Sequence, residues 1–312
     1  MDKPPALCIM GPTASGKTDL AIKIRQHLPV ELISVDASQV YRGMDIGTAK
    51  PSPMEQKQAP HRLIDIRDPA ESYSAAEFCR DALKEMEQIT AAGRIPLLVG
   101  GTMFYFRALE FGLSELPEAD ATVRAQLEKQ ANELGWPAMH RRLAEIDPEI
   151  ALRINENDSQ RIQRALEVYQ LTGQPPSQVQ AQTRPAPPPY RFIKVGLMPG
   201  DRERLRQRIA ERFDKMLHDG LVEEVRALLN RGDLDPTLPS MRMVGYRQVW
   251  AYLHDEIDEK TLISQAVTAT RRLAKRQFTW LRSYPGVESF DPQQAGYELQ
   301  VIEHFRAKLG TI

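Results

Sequence analysis

Apolar positions along this chain follow two rhythms, and the switch between them marks out the elements. Short apolar runs stand at residues 6–10, 31–35, 62–66 and 95–99. Each is bounded by polar or turn-forming residues, as a buried strand is. Helical spacing fills the gaps. After the first run, residues 19–28 carry Leu20, Ile22, Ile24 and Leu28 at helical intervals. Residues 74–92 read as a long amphipathic helix: Ser74 is its N-cap, Glu77 completes a capping box, and Gly93 ends it. Pro96 fits the start of a strand. Gly100-Gly101-Thr102 then makes a tight turn into a helix over residues 103–109. Strands alternating with helices imply a parallel, doubly wound sheet.

The alternation stops near Pro117. From there to Gly173 the pattern is helical only, at residues 121–134, 136–145 and 159–171. Asp147-Pro148 and Asn155-Glu156-Asn157-Asp158 punctuate it. Pro175-Pro176 and Arg184-Pro185-Ala186-Pro187-Pro188-Pro189 read as a stiff linker. A strand pattern returns at 192–197. Helical stretches follow at 201–229, 246–253 and 258–281, then a short strand at 287–290 and a last helix at 293–309. The expected fold is α/β: a parallel-sheet core like that of P-loop NTPases, from residues 1–116 and 188–312, with a mostly helical insertion at 117–187.

Composition narrows the class. At 312 residues, with 42% hydrophobic and 27% charged residues, the chain has the balance of a globular protein. No apolar run approaches the roughly 20 residues needed to span a bilayer. The first residues lack signal-peptide form, so a cytoplasmic protein is expected. Cys8 and Cys79 are too few for a disulfide framework or a zinc site, and Cys8 reads as a small core residue. Net charge is −1, so nothing global announces a nucleic-acid binder. Distribution says more. Arg271, Arg272, Lys275, Arg276 and Arg282 stand in a stretch without an acid. A second cluster, Arg202, Arg204, Arg206, Arg208 and Arg212, is diluted by Asp201, Glu203 and Glu211. Basic helix faces suggest contact with a polyanion.

The chemistry starts at Gly11-Pro12-Thr13-Ala14-Ser15-Gly16-Lys17-Thr18, which has the P-loop form G-x-x-x-x-G-K-[ST] between a strand and a helix. That arrangement gathers backbone N–H groups into one concavity for phosphate oxygens. Lys17 adds a charge, and the Thr18 hydroxyl can serve Mg²⁺. A P-loop ATPase or GTPase also needs a carboxylate closing a second sheet strand. Here the fourth strand closes in Val99-Gly100-Gly101, and the strand-end carboxylate is Asp36 instead. Asp36 can hold a metal through water or accept a proton from a nucleophile. Spacing alone leaves a small-molecule or nucleotide kinase and a diphosphate-releasing transferase both open, beside a protein that only binds RNA.

An ordered set of motifs goes further. The P-loop, Ser34-Val35-Asp36-Ala37-Ser38-Gln39-Val40-Tyr41, Gly47-Thr48-Ala49-Lys50-Pro51 and Gly100-Gly101-Thr102 resemble the motifs of the tRNA dimethylallyltransferases, or tRNA isopentenyltransferases. The likeness continues through Asp158-Ser159-Gln160-Arg161-Ile162-Gln163-Arg164-Ala165-Leu166-Glu167 and Val244-Gly245-Tyr246-Arg247. It ends in Thr270-Arg271-Arg272-Leu273-Ala274-Lys275-Arg276-Gln277 and Thr279-Trp280, so it spans roughly residues 6–283. Ala37 departs from the serine many members carry.

The resemblance implies transfer of a dimethylallyl group from dimethylallyl diphosphate to N6 of the adenine just 3′ of the anticodon. In that reading Gly11, Pro12, Thr13, Ala14, Ser15, Gly16, Lys17, Thr18 and Arg212 hold diphosphate, with Mg²⁺ on Thr18. Asp36 is the general base and Thr102 lies near the acceptor base. The anticodon stem-loop of tRNA, with its adenine flipped out, meets Asp36, Ala37, Ser38, Gln39 and Thr102. It also meets Arg124, Gln160, Arg161, Ile162, Gln163 and Arg164 of the insertion, and Met241, Arg242, Met243, Val244, Gly245, Tyr246 and Arg247. Met243, Tyr246 and Trp250, taken singly, have the spacing of core residues. No obligate protein partner is apparent, and a monomer is expected.

Overall fold

The computed structural model describes residues 3–183 and 187–310. Part of the stretch read as a proline linker, residues 184–186, lies outside the described residues. Contacts divide the chain into two compact units, residues 1–110 with 189–312, and residues 111–188.

The first unit is built on a six-stranded parallel sheet of order β3-β2-β4-β1-β5-β6. In chain order its first elements are β1 (Pro5–Met10), α1 (Lys17–His27), β2 (Val30–Val35), α2 (Pro53–Gln58), β3 (His61–Arg62), α3 (Ala75–Ala91), β4 (Ile95–Gly100) and α4 (Met103–Phe111). β1 is central because both its faces are apolar. Leu7 and Ile9 point to the layer holding Leu20, Ile24 and Phe305, whereas Ala6, Cys8 and Met10 point to the layer holding Phe78, Phe106 and Phe213. This is the two-sided burial of a parallel sheet.

The apolar run at 62–66 does not become a full strand. β3 pairs only at His61 and Arg62, because Leu63 and Asp65 take left-handed backbone at φ 64 and φ 58 and break the pleat. The capping box of α3 forms as expected, with Ser74 accepting from the Glu77 N–H and the Glu77 carboxylate accepting from the Ser74 N–H.

The second unit contains α5 (Ala121–Leu134), α6 (Trp136–Ile146), α7 (Pro148–Ala151), α8 (Ser159–Thr172) and α9 (Pro176–Gln182). Its core gathers Leu127, Met139, Leu143, Ile150, Ile162 and Leu166. Pro176, read as linker, opens α9 instead, at the first-turn position where proline is tolerated.

The chain re-enters the sheet at β5 (Arg191–Leu197). It continues through α10 (Arg202–His218), α11 (Leu221–Leu229), α12 (Tyr246–Leu253), α13 (Glu259–Ser283), β6 (Val287–Phe290) and α14 (Tyr297–Leu309). The helix expected over 201–229 is two helices. Gly220, at φ 101, takes a conformation that helical residues do not adopt, and it separates them. No helix among the described residues is long and apolar enough to cross a membrane.

Candidate active site

The site lies beyond the carboxyl ends of β1, β2 and β4, where parallel sheets bind ligands. Residues 11–18 leave β1 and enter α1. A Cβ on Gly11 would lie 2.8 Å from Ser15 Oγ and 3.1 Å from Leu197 Cβ, so the close approach of β5 requires glycine there. Ala14 and Gly16 have φ of 62 and 86, the alternation that turns successive N–H groups inward. No side chain caps the start of α1. Its first N–H groups are therefore available to an anion.

Side chains of the loop show unused capacity. Ser15 Oγ is fully buried and has no hydrogen-bond partner among the described residues. The Lys17 ammonium donates to the Pro12 carbonyl at 2.8 Å. Burial pushes Lys17 down to about 8, the Asp36 charge holds it up, and the Arg212 charge pushes it down further. Arg212, from α10, is itself lowered by burial and supported by Asp36. Two cations thus converge on the ground of one carboxylate, a field suited to a multiply charged anion.

Asp36 follows β2. Its Oδ1 accepts from the N–H of Ser38 at 2.9 Å and from the Ser38 hydroxyl, which closes a short turn. The other oxygen, Oδ2, has no hydrogen bond among the described residues. Thr102 follows β4, the neighbouring strand. Its Oγ1 accepts from the Ala37 N–H at 3.1 Å, and its own N–H donates to the Val35 carbonyl at 3.3 Å. Asp36 and Thr102 are thereby locked together, and the threonine proton remains free to donate. The Gln39 amide is engaged internally, accepting from Ser34 at 2.9 Å and donating to the Ala49 carbonyl at 3.3 Å.

Sequence reasoning missed two residues that build this site. Gln277 of α13 accepts from the Thr13 N–H at 2.9 Å and donates to the Gly101 carbonyl at 2.9 Å. Glu224 of α11 accepts from the N–H groups of Asp45, Ile46 and Gly47 at 2.9, 2.8 and 3.2 Å, and from the Tyr246 hydroxyl at 2.6 Å. A Cβ on Gly47 would lie 2.5 Å from the Tyr246 ring. Glu224 and Tyr246 thus seat the loop whose Ala49 carbonyl orients Gln39.

The residues expected to meet RNA divide by burial. Met241, Gly245 and Tyr246 are buried and offer no surface for direct contact. Met243 and Val244 are half-buried, and Arg242 and Arg247 are exposed. Met243 and Trp250 pack against the core as their spacing implied. In the helical unit Ile162 is fully buried, so it is a core residue and not a contact. Gln160 is exposed, and Arg161 is 66% exposed beside Asp158. Gln163 is half-buried and donates to the Arg124 carbonyl at 3.1 Å. Arg124 and Arg164 both bond to Glu167, and Arg164 also donates to the Pro117 carbonyl. Arg161 and Arg164 therefore do not act as one exposed face.

Thr18 lies in the first turn of α1 and supplies a hard oxygen donor. Among the described residues no three His, Cys, Asp or Glu side chains gather to hold a metal. The donor set fits Mg²⁺, which keeps waters and substrate phosphate oxygens in its shell and needs few protein ligands.

Comparison with known proteins gives a consistent picture. The family model described as IPP transferase matches residues 39–284. A tRNA dimethylallyltransferase of Thioalkalivibrio sulfidiphilus is 61% identical over 306 residues, 98% of this chain and 95% of the relative. One from Thiobacillus denitrificans is 58% identical over 308 residues, 99% of this chain and 98% of the relative. The crystal structure of a tRNA isopentenylpyrophosphate transferase from Bacillus halodurans is similar at a TM-score of 0.72 and 37% identity, covering 98% and 97% of the two chains. A eukaryotic dimethylallyltransferase captured acting on tRNA is similar at a TM-score of 0.76 and 26% identity, covering 96% of this chain and 77% of that one.

Proposed function

This chain belongs to the IPP transferase family, and we propose that it moves a dimethylallyl group from dimethylallyl diphosphate to tRNA. The acceptor is N6 of the adenine on the 3′ side of the anticodon, and diphosphate is released. The observation that carries the reading is a P-loop whose Ser15 hydroxyl is buried without a partner among the described residues, with the charges of Lys17 and Arg212 both felt by a single carboxylate, Asp36.

In this reading, while the Ser15 N–H donates to the Pro12 carbonyl at 3.3 Å, the N–H groups of Ala14, Gly16, Lys17 and Thr18, the Lys17 ammonium and Arg212 hold the diphosphate. They stabilise the charge that grows on the bridging oxygen as the allylic C–O bond breaks. Thr13 offers its side chain only, because its N–H is bonded to Gln277. Gly11 and Pro12 shape the turn, and the Pro12 carbonyl parks the Lys17 ammonium. Thr18 would hold Mg²⁺, which would neutralise diphosphate charge. The Oδ2 oxygen of Asp36 takes the proton that the adenine amine loses as the new C–N bond forms. Thr102, fixed to Ala37 at the same turn, offers its hydroxyl to the adenine edge, and Ser38 and Gln39 frame it. Anticodon-loop bases are unpaired, so flipping one out costs only about a few kcal/mol. Exposed Gln160, Arg161, Arg242 and Arg247 are the direct RNA contacts, whereas Arg124, Ile162, Arg164, Met241 and Tyr246 support the surfaces that carry them. From a tRNA substrate we infer that the work is done in the cytoplasm.

The test mixes the protein with Mg²⁺, labelled dimethylallyl diphosphate and unmodified tRNA, and counts label in RNA. Transfer that disappears when the target adenine is replaced supports the reading. No transfer to any tRNA bearing that adenine, with ATP turnover on a small acceptor, would replace it by a P-loop kinase.

A further inference from the structure

α13 is the basic helix of the chain, and its exposed side chains include Arg271, Arg272, Lys275 and Arg276. One turn-face of it points inward, and there Gln277 is 8% exposed. Its amide bridges two segments that are far apart in sequence. Oε1 accepts the Thr13 N–H of the P-loop, and Nε2 donates to the Gly101 carbonyl in the turn that carries Thr102, both at 2.9 Å. Only an amide of this length satisfies both ends, since one segment presents a donor and the other an acceptor. The fit is close: a Cβ on Gly101 would lie 2.5 Å from Nε2, so Gly101 is the room made for this side chain.

We propose that Gln277 is a positioning residue that sets the spacing between the diphosphate loop and the acceptor threonine. It touches neither substrate. The inference rests on the prenyl-transfer reading, in which the P-loop holds the leaving group and the Asp36–Thr102 turn holds the nucleophile. Each half binds its own ligand with its own groups. Bond formation needs both halves in register, and a displacement of about 1 Å between reacting groups costs on the order of 10²-fold in rate. Losing the bridge therefore separates turnover from binding.

The test compares wild type with Gln277→Leu and Gln277→Glu. Gln277→Leu removes both bonds. Gln277→Glu keeps an acceptor for Thr13 but sets a carboxylate oxygen against the Gly101 carbonyl. Four quantities are read: binding of inorganic pyrophosphate with Mg²⁺, binding of an anticodon stem-loop RNA, the single-turnover rate of transfer with both substrates saturating, and the melting temperature. The expected result for Gln277→Leu is a rate lowered roughly 10- to 100-fold, with each binding constant within about threefold of wild type. Gln277→Glu is expected to fall at least as far, and Gln277→Asn, which is too short to reach both ends, to give no rescue. Unchanged turnover in Gln277→Leu would overturn the proposal. So would parallel losses in rate, pyrophosphate binding and melting temperature in every soluble variant, the mark of a residue that only stabilises the fold. If wild type itself transfers no label, the prenyl-transfer reading fails first, and the two failures are thereby told apart.

Discussion

In the helical unit, Arg124 and Arg164 converge on Glu167, whose side chain is fully buried, and the Asp120 N–H donates to the same carboxylate. Every oxygen there has a donor. In the α/β unit the polar groups around the P-loop are less fully engaged. Among the described residues Ser15 Oγ and one oxygen of Asp36 have no hydrogen-bond partner, and Lys17 donates only to a carbonyl. The same residue types thus do opposite work. A carboxylate with all its hydrogen bonds filled by its own chain is a framework element, and removing it should cost stability. A carboxylate and two cations with free valence form a site, and removing one should cost chemistry while leaving the fold intact.

The strongest break in that contrast is Asp36→Ala. It removes the proton acceptor, so single-turnover transfer should fall by roughly 10²–10⁴. Melting temperature should stay close to wild type, because the turn keeps its Ala37–Thr102 bond. A large drop in melting temperature with modest loss of rate would reassign Asp36 to the framework class.

The contrast also shows what could be read from the sequence. The P-loop, Asp36 and the Gly100-Gly101-Thr102 turn were legible because short-range chemistry fixes them: glycines at fixed spacing, and a carboxylate at a strand end. Strand count and the helical run after Pro117 were legible from periodicity. What stayed hidden depends on long-range pairing. Gln277 lies 264 positions from its Thr13 partner, and nothing in its local pattern separates a bridging amide from a surface one. Arg124 and Arg164 looked like free basic residues because Glu167, which holds them, is an ordinary helix glutamate until its burial is known. Glu224 is likewise a surface glutamate by pattern and a backbone clamp by structure. The gap at Gly220 was a matter of one residue's backbone angle.

Salt provides the next test, on α13. If its exposed basic side chains meet phosphates, tRNA affinity should fall steeply with salt, while pyrophosphate binding changes less. Replacing Arg271, Arg272, Lys275 and Arg276 together should flatten the slope of log affinity against log salt by about 3. Between 50 and 200 mM salt that amounts to roughly a hundredfold difference in how much affinity is lost. Equal slopes for variant and wild type would place these side chains with ordinary solvated surface.

Glu167→Ala tests the framework side. Two guanidinium groups and one N–H would lose their acceptor, so the protein should lose about 2–3 kcal/mol of stability, less than a fully buried pair because both arginines reach water. Acid should do the same to wild type. Burial alone would raise the Glu167 carboxyl, but the bonds from Arg124 and Arg164 and the Asp120 N–H outweigh it and hold it below its ordinary value of 4.5. Its contribution is therefore complete above 4.5 and is lost as pH falls through the lower folded value. Urea unfolding monitored by far-ultraviolet circular dichroism at several pH values reads both effects. An unchanged midpoint for Glu167→Ala would remove the carboxylate from the framework.

The smallest effect is the most specific to the site. Lys17 titrates at about 8 in the free protein, against an ordinary 10.5, because burial outweighs the support of Asp36. Below about 8 the ammonium is charged and attracts diphosphate. Above it the neutral amine does not, so pyrophosphate affinity should fall by up to tenfold per pH unit until bound ligand raises the lysine again. Stability moves the other way. Between about 8 and 10.5 the unfolded chain holds the Lys17 proton more tightly than the folded one, so folding stability gains as pH rises across that window. A binding group tuned by burial should show these opposite slopes together, and Lys17→Met should abolish both. Subtracting the Lys17→Met profile also removes the titration of pyrophosphate itself. If affinity and stability rise or fall in parallel after that subtraction, the lysine is responding to the fold and not to a ligand.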